Sequence, residues 1–222
     1  MLMEKERQEI VDYGKKMSSA GLSKGTSGNI SAYDDKTGMM AITPSGIGYF
    51  ETTPEDIVVM DLDGNIIEGT RKPSSEHVLH ATIYKLNEDA KGVVHAHSTF
   101  CTTLSCMDEP VIATHYLLAG AQTHEVPCAK YATYGTPELA HEVENSMNEG
   151  LALLLANHGM VAWGPSLSKA FNVAENVEWV AEIQWRCMCA GKPSVLAEEE
   201  IEKVIESFRT YGQNDSVKKG GY

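Results

Sequence analysis

No stretch of this chain approaches the roughly 18 apolar residues that a membrane-crossing helix needs, and its start, MLMEKERQEI, lacks the basic residues and apolar core of a signal peptide. These absences argue against a membrane partner and make the cytoplasm the expected compartment. Cysteine is scarce and odd in number. Cys101, Cys106, Cys128, Cys187 and Cys189 form neither a C-x-x-C pair nor a disulfide framework, so reduced and mostly buried thiols are expected. Positive charge is short as well: 18 Lys and Arg stand against 31 Asp and Glu, a net charge of −13. A field of that sign repels phosphodiester backbones, which excludes nucleic acid as the expected partner. Internal repeats, low-complexity tracts and linkers are also missing from the 222 residues. One domain over 1–212 is therefore expected, followed by a tail, 213–222, with nothing apolar to bury.

What remains is an ordinary globular composition, 42% hydrophobic and 22% charged. Ile10, Val11 and Met17 predict a helix over 4–20 that stops at Gly21. A glycine-rich turn at 25–31 leads into strands at 39–43 and 56–62, and Asp63-Gly64 marks a hairpin turn before 65–67. Val78, Leu79, Ile83 and Leu86 predict a helix from about Ser75. Short strands are expected at VVHAH (93–97) and VIATHY (111–116), with a short helix over 99–106 between them and another after Thr136-Pro137. LALLLA (151–156) and MVAW (160–163) read as strands turning at Gly159. The longest helix is expected from Ser166 to Gly191, with Ala170, Ala174, Val177, Ala181 and Met188 on one stripe, and a last one over 198–208. This alternation predicts a layered α/β domain.

His95 and His97 carry metal-ligand spacing, because alternate strand residues project from one face. Two polar residues in that pattern also suit a solvent-facing strand. His158 tips the balance: it ends an apolar strand at an Asn-His-Gly turn, a poor place for a polar ring that binds nothing. Three neutral imidazoles suit Zn²⁺ and leave its fourth position open for chemistry. Glu76, behind Ser74 and Ser75 at a helix start, fits ordinary helix-end electrostatics and fits equally a carboxylate that moves a substrate proton beside an anion site. The loops GTSGN (25–29) and TPSG (43–46) make turns or bring amides to an anion. His77, His80, His115, His124 and His141 read as surface or hydrogen-bonded residues.

The ordered series GTSGN, TPSG, KPSSE, HAH, HY, YATYGT and NHG resembles the class II aldolase/adducin family over nearly the whole chain. The resemblance implies a three-layer α/β/α sandwich around a mixed, largely antiparallel sheet, assembled as a homotetramer with active sites between subunits. It further implies that His95, His97 and His158 bind one zinc ion per chain, and that Glu76 ligates the resting metal and acts as acid and base. Gly28, Asn29, Ser45, Gly46, Ser74 and Ser75 match its phosphate-binding positions. Tyr116 matches a tyrosine that reaches a neighbouring subunit's site and handles the aldehyde oxygen, and Tyr211 one in a C-terminal segment that covers the site. Tyr134 stands where the family has phenylalanine. The implied reaction cleaves a ketose 1-phosphate, of the L-fuculose 1-phosphate kind, to dihydroxyacetone phosphate and a lactaldehyde-like aldehyde. A ribulose-5-phosphate 4-epimerase is disfavoured by Glu76, where that group carries aspartate. A methylthioribulose-1-phosphate dehydratase keeps the glutamate and stays open as an alternative. An adducin-like interaction module without metal is disfavoured by the intact histidine and glutamate set.

Overall fold

The computed structural model describes residues 1–210; Tyr211 and the tail at 213–222 lie outside the described residues. The amphipathic start forms α1 (Glu4–Ser19), which buries Ile10, Val11 and Met17 as expected. It stops where the amides of Gly21 and Leu22 bond back to Ser18 and Met17. The chain then runs through β1 (Asn29–Asp34), β2 (Met39–Ile42), β3 (Val58–Asp61) and β4 (Ile66–Glu68) as an antiparallel meander. Part of the predicted glycine-rich turn at 25–31 is thus strand β1, and it becomes the neighbour of the histidine strand.

Helix α2 (His77–Leu86) buries Leu79 and Ile83 but leaves Leu86 exposed. Glu76 precedes its first turn as the N-cap residue, with φ −102° and ψ 17°, rather than lying inside the helix. Strand β5 (Gly92–Ala96) is buried throughout and pairs with β1 on one side and β10 (Gly159–Gly164) on the other. Beyond it come α3 (Thr99–Ser105), β6 (Val111–Ile112), β7 (Glu125–Val126), β8 (Cys128–Ala129), α4 (Pro137–Ser146) and β9 (Ala152–Leu155). The segment expected as one strand over 111–116 pairs only at Val111 and Ile112. It then turns into a 3-10 helix, Tyr116–Ala121, whose Leu117 amide donates to the His115 ring.

The turn between β9 and β10 is made by Asn157, with φ 55°, and not by Gly159. Gly159 is needed because a Cβ there would run into the Ala96 carbonyl of β5. Helix α5 (Leu167–Ala190) buries Ala170, Ala174, Val177 and Ala181, with Met188 partly buried. Helix α6 (Glu198–Thr210) buries Ile201 and packs Val204, Ile205 and Phe208 partly against the core.

The eight-stranded sheet has the order β4-β3-β2-β1-β5-β10-β9-β8 and is antiparallel except for β8 with β9. Helices α1 and α5 pack on each other, α1 against β1 and β2 and α5 against β5 and β10. On the other face α2 packs with α4 and lays Tyr84 on Tyr33 of β1, centroids 5.0 Å apart. The three-layer sandwich with a mixed, largely antiparallel sheet is as expected. The thiols differ: all are free, but only Cys101 is buried, since Cys106 ends α3 and Cys189 sits in the last turn of α5 at the surface. Among the described residues no helix is long and apolar enough to cross a membrane.

Candidate active site

Sheet register builds the site. Asn29 lies opposite His95 across β1 and β5, and Val161 opposite His95 across β5 and β10. His97 follows β5 on the same face, and the β9–β10 turn brings in His158. The three rings stand edge to face, with centroids 4.8 to 4.9 Å apart. Glu76 completes the group from the end of α2, with Oε2 3.1 Å from His95 Nε2 and Oε1 3.3 Å from His158 Nε2. One ligand atom from each of the four residues lies within 4.8 Å of every other.

The donor set fits a divalent metal ion. His95 donates its Nδ1–H to the Met160 carbonyl at 2.8 Å, which aims Nε2 at the centre of the cluster. Burial, followed by the charge on His95, lowers the pKa of His97 and of His158 to about 4, so both rings offer free nitrogen lone pairs near neutrality. Burial works against a charge on Glu76. The charge and hydrogen bond of His95, then His158 and Asn29, outweigh it and hold the carboxyl well below its usual range. Burial opposes a charge on His95 too, but the adjoining carboxylate prevails and raises its pKa. A divalent cation bound there would take the place of the His95 proton in this balance. Glu76 Oε1 is buried without a hydrogen-bond partner, as an oxygen reserved for an ion or a substrate would be.

Beside this cluster opens a cavity of about 250 Å³. All six residues singled out as phosphate positions line it: Gly28, Asn29, Ser45, Gly46, Ser74 and Ser75, together with Glu76, His97, His158 and Tyr134. The TPSG and KPSSE loops are zipped together, Ser45 N donating to the Lys72 carbonyl at 2.9 Å and Ser74 N to that of Thr43 at 3.0 Å. The GTSGN loop is tied in by Tyr49, whose hydroxyl donates to the Ser27 carbonyl at 3.0 Å. Gly28 has φ +74°, and a Cβ there would sit 2.6 Å from the His95 carbonyl, so a side chain is excluded on both counts.

Tyr116 is not part of this group. It lies in a separate cavity with Lys169, Asn176 and Phe208, is 47% exposed, and stacks beside His115 at 4.5 Å between centroids. Tyr211 falls outside the described residues. His80, expected as a surface or hydrogen-bonded residue, is the hydrogen-bonded kind and stands in the wall of the site. It is fully buried behind Asn29, with Nε2 2.5 Å from Asn29 Oδ1 and Nδ1 2.6 Å from Ser31 Oγ. Two signals pointed to it: His80 follows Glu76 by one helical turn, and Asn29 and Ser31 are polar at alternate positions of one strand.

Residues 8–185 match the family described as Class II Aldolase and Adducin N-terminal domain. A 5-deoxy-D-ribulose 1-phosphate aldolase of Bacillus thuringiensis serovar kurstaki is 46% identical over 96% of this chain and 100% of its own length. A 5-methylthioribulose-1-phosphate/5-deoxyribulose-1-phosphate aldolase of Rhodospirillum rubrum is 40% identical over 94% of this chain and 93% of its own. The L-fuculose phosphate aldolase of Escherichia coli K12 is 40% identical over 92% and 94% respectively. Among solved structures, an L-fuculose 1-phosphate aldolase superposes with a TM-score of 0.91 at 45% identity, covering 94% of this chain and 98% of its own. The chain belongs to the class II aldolase and adducin family, and it is one of that family's aldolases, a carbon–carbon lyase.

Proposed function

We propose that this aldolase cleaves a ketose 1-phosphate of the 5-deoxyribulose 1-phosphate or L-fuculose 1-phosphate type to dihydroxyacetone phosphate and a short aldehyde. The observation that carries the reading is the convergence of Glu76 and three histidines beside a cavity walled by small hydroxyl and glycine loops, with Glu76, His97 and His158 in its lining. The relatives' names supply the substrate class, and they share a phosphorylated ketose. His95, His97, His158 and Glu76 would hold a divalent ion, proposed as one zinc per chain, which would supply Lewis-acid polarisation of the substrate's oxygens.

The other steps belong to the chain's own groups. Hydroxyls of Ser45, Ser74 and Ser75 and the backbone at Gly28, Asn29 and Gly46 hold the phosphate, which fixes the first carbons of the substrate beside Glu76. As the carbon–carbon bond breaks, the hydroxyl proton of the aldehyde-forming carbon passes to the ionised Glu76 carboxylate. Glu76 returns a proton to the carbon of the dihydroxyacetone phosphate fragment, and in the reverse direction it removes that proton. Tyr116 stands by the aldehyde oxygen of a neighbouring subunit in a homotetramer, in keeping with its exposure and its place in a cavity separate from that of its own chain's cluster. Tyr134, in the cavity wall, contributes a hydroxyl where the family pattern has a bare ring.

The test is a panel of ketose 1-phosphates that includes 5-deoxyribulose, L-fuculose and methylthioribulose 1-phosphates, with dihydroxyacetone phosphate release as the readout. Release from at least one of them, abolished by chelation and restored by Zn²⁺, is expected. Loss of water from the sugar without release of dihydroxyacetone phosphate would replace the cleavage reading with a dehydratase.

A further inference from the structure

We infer that His80 is a positioning residue: by donating from Nε2 to Asn29 it locks the Asn29 amide, which in turn holds one oxygen of Glu76 and leaves the other free to react. The inference rests on the reading of Glu76 as the group that moves the substrate proton.

The direction of every hydrogen bond in this buried wall follows from its reactive end. An ionised Glu76 only accepts, so Asn29 Nδ2 donates to Oε2, at 2.9 Å. Asn29 Oδ1 then faces His80 Nε2 at 2.5 Å, and because a carbonyl oxygen only accepts, Nε2 carries the hydrogen. His80 is fully buried, and burial, with the charge on His95 second, pushes its pKa down to about 3, so the ring is neutral and its Nδ1 is bare. Nδ1 accepts from Ser31 Oγ at 2.6 Å. That uses the only proton Ser31 has, so the Tyr84 hydroxyl donates to Ser31 Oγ at 2.7 Å. The result is a one-way series of donors from Tyr84 through Ser31, His80 and Asn29 to the carboxylate.

Such a series does more than satisfy buried groups. Without the donation from His80, the Asn29 amide is free to turn over, and its Oδ1 would then face Glu76 Oε2, acceptor against acceptor. With it, Oε2 is pinned and Oε1, buried without a hydrogen-bond partner, is the oxygen left for a proton. Asn29 also lines the cavity beside Gly28, so the same series sets the carboxylate relative to the loop proposed to hold the phosphate.

The first test needs no substitution and no substrate: ¹⁵N-edited NMR of the His80 ring in the metal-loaded protein. A neutral ring protonated at Nε2 throughout pH 5 to 8 is expected; a ring protonated at Nδ1, or at both nitrogens, overturns the inference. The second compares His80→Gln, whose amide reaches the Nε2 position, with His80→Asn, whose amide reaches only the Nδ1 position. His80→Asn should bind Zn²⁺ about 10- to 100-fold more weakly, the usual loss when a group behind a metal ligand is removed. It should also lower kcat by about tenfold or more, with KM within about threefold. His80→Gln should recover both to within about threefold. Equal zinc affinity and kcat in the two variants would overturn the positioning role. If His80→Asn does not fold, the ring tautomer decides. An absence of cleavage by the unaltered protein would sink the aldolase reading and leave the tautomer and the zinc affinities to decide the role of His80.

Discussion

The chain carries two clusters of rings, and they are built in opposite ways. His95, His97 and His158 sit edge to face where β5 meets the turn between β9 and β10, with His95 fully buried and its Nδ1 fixed on the Met160 carbonyl. His115, Tyr116, Trp179 and Phe208 also touch one another, but on a 3-10 turn and two helices, with Tyr116 47% and Trp179 45% exposed. A set of metal ligands gains from rigidity, because lone pairs misaimed by a fraction of an ångström lose the ion. A half-exposed aromatic group gains from a partner that covers it. One cluster is therefore finished within the single chain, and the other is left with apolar surface in solvent.

The largest effect should come from the finished cluster. Chelation, or His97→Ala, should remove the metal and lower the rate at least about 10³-fold, since a Lewis acid supplies several kcal/mol to the transition state. Undiminished turnover in protein shown to be metal-free would break the contrast at its stronger end. Glu76→Gln comes next, with about a 10²- to 10⁴-fold loss of kcat while bound metal persists, measured by elemental analysis beside the assay. Near-normal turnover would remove Glu76 from the proton transfer.

The third effect is on stability. His80 holds its ring neutral with a pKa near 3, whereas an unfolded chain titrates near the ordinary value of 6.5. Below that value the unfolded state binds a proton that the folded state refuses, so stability falls as pH falls, over the window from 6.5 down to about 3. Between pH 7 and pH 5 this one group removes about 2 kcal/mol, and His80→Gln should flatten the urea-unfolding profile by that amount. Parallel profiles for the two proteins would mean that His80 is already charged in the fold.

The smallest effect, a partial recovery, addresses the half-exposed cluster. Glu76→Gln and Tyr116→Phe subunits, each inactive alone, should regain about a quarter of normal activity after dissociation and remixing, because random assembly of a ring pairs both intact partners at about one interface in four. Mixtures that stay inactive after verified subunit exchange would place the work of Tyr116 within its own chain or remove it from the reaction.

How much of this was legible beforehand depends on the distance over which each feature is specified. His95 and His97 could be paired on paper because the strand period of two puts them on one face, and His158 stood out at a turn where a polar ring has no ordinary purpose. The helices were legible for the same local reason, α5 from its buried stripe of Ala170, Ala174, Val177 and Ala181. Two short edges were not: β8 is only Cys128–Ala129, and 111–116 was expected as a longer strand than the Val111–Ile112 pair that forms. Strand length there is decided by the neighbours available for pairing, which local pattern does not record.

The apolar periods and the chemistry-bearing residue types, and with them the layered fold and the candidate ligands, were determined by the sequence itself, since neighbouring residues need only each other to define a face. Register was decided by the tertiary structure alone. Asn29 meets Glu76 and His80 because β1 pairs with β5 so that Asn29 lies opposite His95, while α2 crosses the same face of the sheet. Tyr116 is kept apart from that group because the chain breaks into a 3-10 turn after β6. Contacts between residues some fifty positions apart in the chain depend on how sheet pairing and helix packing are jointly satisfied, and no short window of sequence contains that solution.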